Sequence, residues 1–123
     1  MNTALWIAQG LLAAAFLMAG LMKVVKSKPE LSEKMGWVDD FSEGFIKTIG
    51  GLEVLGAIGL ILPGITGVAP VLVPLAAVGL GVTQVGAIVV HGRRGEMQNV
   101  VVSVALLAMS AFVAWGRFGD YSL

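Results

Sequence analysis

Long uncharged stretches alternate with short polar ones along this chain. Residues 1–22 carry no charged side chain, residues 54–92 hold no Asp, Glu, Lys or Arg, and residues 97–116 are again free of charge. About 20 apolar residues suffice for a helix to cross the hydrocarbon core of a bilayer. The 54–92 stretch is too long for one crossing and is interrupted by Pro63-Gly64-Ile65-Thr66-Gly67, a turn composition. The pattern therefore predicts four spans, at about 3–25, 45–62, 68–90 and 97–116, with 26–44 as an interfacial loop and 117–123 as a short tail. Pro70 and Pro74 fall near the start of the third span, where proline is tolerated because the first helical N–H groups lack partners. No basic residue precedes the first apolar stretch, so it reads as an uncleaved span rather than a signal peptide. In the loop, Pro29 can open a short helical turn, and Trp37 suits headgroup depth.

Composition sharpens this picture. Apolar residues make up 57% of the 123 and charged residues 13%, an imbalance that a soluble domain with so much surface cannot hide. Net charge is zero and there is no basic run, which excludes a nucleic-acid binder. The absence of cysteine excludes disulfides, thiol redox chemistry and Cys-ligated zinc or iron–sulfur centres. A single histidine does not make a closed metal site in one chain, so no metal is expected. Lys23, Lys26, Lys28, Lys34, Lys47, Arg93 and Arg94 follow the first and third spans, whereas Arg117 stands alone on the other side. The positive-inside rule then places both loops in the cytoplasm and both termini outside, with Trp6 and Trp115 near the outer interface. Lipid demands internally satisfied backbone, so the expected fold is all-α: a membrane-embedded antiparallel four-helix bundle.

Few residues in the spans could carry chemistry. Glu53 lies inside the second span, where a lone carboxylate is costly and must be paired, protonated or hydrated. Lys23, at the inner end of the first span, is its nearest candidate cation, and His91 is another. Glu53 is then either a proton-handling or ligand-contacting group, or half of an ion pair that fixes helix register. Gln9, Phe16 and Lys23 recur every seven residues, with Gly20 three before Lys23, so these positions share a face that can turn inward. His91 can accept a proton near neutral pH, or simply complement a helix C-terminus. Gln84 precedes it by seven residues, suggesting a polar stripe. Glu96 opens the fourth span, and Ser103 and Ser110 follow at intervals of seven with Asn99 beside them. Serines and the glycines of spans two and three are expected to serve helix packing.

Gly20-Leu21-Met22-Lys23, Gly36-Trp37-Val38-Asp39-Asp40-Phe41-Ser42, the stretch from Gly50 through Glu53 to Pro63, and His91-Gly92-Arg93-Arg94-Gly95-Glu96 resemble the DoxX-like family of small membrane proteins. The resemblance runs over nearly the whole chain. It implies a four-helix bundle in a bacterial cytoplasmic membrane, with Lys23, Glu53, His91 and Glu96 as matched polar positions. It also implies a link to redox chemistry, since the family takes its name from a small subunit linked to quinone reduction.

Three functions are compatible with these expectations. The first is an accessory subunit supporting a quinone-linked or other redox complex, with a buried polar cluster of Lys23, Glu53, Gln84, His91 and Glu96 shaping a lipophilic pocket. The second is an enzyme acting on a small lipophilic molecule, with Glu53 and His91 as acid and base. The third is a small transporter, which with four spans would have to oligomerise. No cofactor is expected within the chain itself. A bound quinone or lipid, a membrane or peripheral redox partner and a homo-oligomer are the expected associations.

Overall fold

The computed structural model describes residues 1–33 and 35–123. Lys34, counted above among the basic residues of the loop, lies outside the described residues. The elements are α1 (Asn2–Val25), α2 (Lys28–Ser32), a 3₁₀ turn (Gly36–Asp40), α3 (Glu43–Thr66), α4 (Leu72–Arg93) and α5 (Met97–Phe118). The helices α1, α3, α4 and α5 are each long and apolar enough to cross a membrane.

Polar and apolar positions on these helices are arranged as lipid requires. Gln9, Lys23, Glu53, Gln84, Ser103 and Ser110 are buried, while Leu11, Met18, Leu55, Val82 and Val101 are exposed. An aqueous protein does not leave such a continuous apolar surface bare. The core between the helices comprises Ala8, Leu12 and Phe16 of α1, Ala57 and Leu60 of α3, Val73, Ala77 and Leu80 of α4, and Val113 of α5. A smaller cluster of Leu31, Val38 and Ile46 pins α2 and the 3₁₀ turn to the end of the bundle.

Glycine sets how closely the helices approach. A Cβ on Gly20 would lie 2.6 Å from the Gly50 carbonyl oxygen, and one on Gly50 would lie 2.6 Å from the Lys23 Cβ. The α1 and α3 backbones are thus in contact, with α1 packed on α3 and α4 on α5. Lys47 of α3 reaches back to donate to the carbonyls of Val24 (2.8 Å) and Lys26 (3.2 Å). It thereby supplies charge and donors where the last turn of α1 leaves carbonyls unsatisfied.

Several helix ends differ from the sequence expectation. α3 continues past Leu62 to Thr66 with Pro63 inside it. Pro63 forfeits one ladder bond, but its carbonyl accepts from Gly67, and Gly67 at φ 73° ends the helix in the left-handed conformation. The glycine, not the proline, is the stop. α4 begins at Leu72 rather than Val68, because residues 67–71 form the turn and Pro70 precedes the helix. It extends past Val90 to Arg93, so His91 is helical and Gly95, at φ 72°, makes the break. α5 extends to Phe118 and includes Arg117, which the pattern had assigned to the tail.

Candidate functional site: two polar clusters at opposite ends of the bundle

The first cluster begins with Lys23 and Glu53. Glu53 lies ten residues into α3, about 15 Å along the axis. The Nζ of Lys23 donates to Glu53 Oε1 at 2.6 Å, and both side chains are at least nine-tenths buried. The Gly20–Gly50 approach explains this closeness, since residues 20 and 23 share one face of α1 and residues 50 and 53 one face of α3.

Trp37, carried by the 3₁₀ turn, joins this pair to a second one. The Lys23 ammonium lies 5.6 Å from the centre of the Trp37 ring, within cation–π range. The His91 ring meets Trp37 edge-on at 6.3 Å. His91 Nδ1 is 2.9 Å from Glu96 Oε1, across the break made by Gly95. Arg94 Nη1 donates to Asp40 at 2.9 Å, and Arg94 Nε lies 3.5 Å from Glu96. Gly36 leaves room for this arginine, because a Cβ there would meet Arg94 Nη2 at 2.9 Å. The hydrogen bond from His91, aided by the charge of Arg94, holds the Glu96 carboxyl below its ordinary value. The bond to Asp40 raises Arg94 in turn. The segment 36–40 therefore sits over this end of the bundle, held by an aromatic ring and by ion pairs.

Of the expected site residues, Lys23 and Glu53 form one pair and His91 and Glu96 another. Trp37 lies against both Lys23 and His91, and among the described residues Glu53 and His91, the expected acid–base couple, share no hydrogen bond. Gln84 is buried on α4, but among the described residues it shares no hydrogen bond with Glu53 or His91. Two open apolar grooves flank the bundle. One, of about 460 Å³, lies between α1 and α3 beside Ala13, Leu17, Ala57 and Ile61. The other, of about 370 Å³, lies between α4 and α5 beside Gly81, Leu107 and Ser110. Neither is lined by Glu53 or His91.

The second cluster centres on Arg117. Its Nε donates to Gln9 Oε1 at 2.7 Å, and its Nη1 donates to Asn2 Oδ1 at 2.7 Å and to the Tyr121 carbonyl at 2.9 Å. Gln9 Nε2 in turn donates to the Leu60 carbonyl of α3 at 2.7 Å. The guanidinium carbon stands 5.4 Å from the centre of the Trp6 ring. The inward-facing role expected of Gln9 thus has a partner that the pattern did not assign. The signal was present, since residues 96, 103, 110 and 117 recur every seven positions and Arg117 continues the polar line of α5 by one step.

No curated protein and no solved structure matches this chain. A family model, that of the DoxX-like family, matches residues 7–113, from the first turns of α1 almost to the end of α5. With its four membrane-length helices and a match over most of its length, the chain is a multi-pass membrane protein that belongs to the DoxX-like family.

Proposed function

We propose that this protein is an accessory membrane subunit that supports a quinone-linked or other redox complex in a bacterial cytoplasmic membrane. The bundle is antiparallel, as the register of Gly20 on Gly50 and Gln9 on Leu60 supports. Both termini lie on the non-cytoplasmic side. Lys23, Lys26, Lys28, Lys47, Arg93 and Arg94 gather at the opposite end, which the positive-inside rule assigns to the cytoplasm.

One observation carries this reading: the buried carboxylate Glu53 is ion-paired with Lys23 through Oε1 at 2.6 Å. A general base must present its lone pair to a substrate, whereas a satisfied pair fixes register. The ordered 36–40 segment then offers a cytoplasmic surface to a peripheral partner, and a quinone or lipid tail lies in the α1–α3 groove.

Gentle isolation from native membranes, with mass spectrometry of co-isolating proteins and small molecules, tests the proposal. The expected result is a partner bearing a flavin, haem or iron–sulfur centre, with less complex recovered from a Glu53→Gln variant. A chain that arrives alone, or a fully assembled Glu53→Gln variant that loses a turnover of its own, overturns it.

A further inference from the structure

Arg117 is 3% exposed, and its Nη2 is buried without a hydrogen-bond partner. A guanidinium carries five N–H donors. Nε and Nη1 are engaged, and the pair on Nη2 is idle. All three acceptors it does have, on Gln9, Asn2 and Tyr121, are neutral amide oxygens. Among the described residues no carboxylate lies within salt-bridge distance of it, and the nearby Asp120 is exposed. A buried cation without a counter-charge is costly, and an idle buried donor calls for an occupant. The same corner holds the start of α1, whose Asn2 is a partner of Arg117 and whose first N–H groups point outward with the positive end of the helix dipole.

We propose that Arg117 is a binding site for a phosphate oxygen, supplied by the headgroup of an anionic phospholipid or by free phosphate. The idle Nη2 donates to the oxygen in a charge-assisted hydrogen bond, while Nε and Nη1 keep the guanidinium fixed on Gln9, Asn2 and Tyr121. Trp6 lies under the guanidinium and Trp115 stacks beside Phe112, side chains of the kind that gather at headgroup depth. Residues 119–123 lie alongside, tied by the Tyr121 carbonyl and by the bond from Tyr121 N–H to the Gly116 carbonyl.

Native mass spectrometry of the full chain, with phosphatidylglycerol, phosphatidylcholine or inorganic phosphate as the probe, measures retention. The wild type is expected to retain phosphatidylglycerol, and Arg117→Gln to retain it less by about tenfold or more, the scale of one lost charge-assisted contact. Arg117→Lys falls between, since it keeps the charge but loses the hydrogen bonds that fix the guanidinium in place. Retention of inorganic phosphate that competes with the lipid assigns the free ion as the source; its absence assigns the headgroup. Should Arg117→Gln fail to fold, the ¹⁵N guanidinium signals of the wild type serve instead and must shift when phosphatidylglycerol or phosphate is added. Equal retention by wild type and a folded Arg117→Gln, or unshifted guanidinium signals with both probes, overturns the proposal.

Discussion

Lys23 and Glu53 meet at 2.6 Å directly beside the closest approach of α1 and α3, where Gly20 and Gly50 bring the two backbones together. Charge pairing and backbone packing at this point depend on each other.

Removing one member of the pair leaves the other charged and buried. Glu53→Ala is expected to destabilise the bundle by about 3–5 kcal/mol, whereas the double replacement Lys23→Met with Glu53→Leu recovers most of that loss. Equilibrium unfolding in mixed micelles distinguishes the two. A single variant as stable as the double one contradicts the coupling.

The glycines of α3 differ sharply in what surrounds them. Gly50→Ala forces α1 away and is expected to cost about 1–3 kcal/mol. Gly51→Ala faces open space, with nothing within 4 Å of its Cβ, and is expected to be neutral or to gain up to about 1 kcal/mol from helix propensity. The same unfolding measurement ranks them.

The spans were legible because uncharged runs of bilayer length leave no alternative. A buried partner for Glu53 was legible too, from the cost of a bare carboxylate, with Lys23 and His91 as the two candidates; the structure pairs it with Lys23. Helix ends were not, because Pro63 reads as a stop until the left-handed Gly67 shows where the chain turns. Trp37 read only as an interfacial anchor, since nothing local to residue 37 reveals that the 3₁₀ turn lays its ring between Lys23 and His91. Arg117 reads as part of the tail because a charge after the last span resembles a terminus, although its seven-residue spacing from Ser110 marks it as inward-facing.

Trp37→Ala is expected to loosen the 36–40 segment and to weaken the bundle by about 1–2 kcal/mol through the lost cation–π contact. Hydrogen–deuterium exchange should rise across residues 35–41, and Trp37→Phe should restore part of the protection. Unchanged exchange contradicts the bridging role of the ring.

Glu96 links the end of the bundle that carries the 36–40 segment to pH. Its folded carboxyl titrates below its unfolded value because His91 and then Arg94 favour the anion. The stabilisation is therefore complete above the ordinary carboxylate range and is lost as pH falls through the lowered folded value. Protection at residues 91–97, taken relative to the intrinsic exchange rate at each pH, should fall over that acidic window in the wild type. Glu96→Gln should show fast exchange there already at neutral pH, without the acidic step.

Both partners of the buried ion pair belong to the first two long helices. Chains are made from the N-terminus, and early segments can associate before later ones emerge. The acid at 53 consequently finds its partner on a residue already synthesised, so the first two long helices can leave the translocon with this buried charge cancelled while the last two are still on the ribosome.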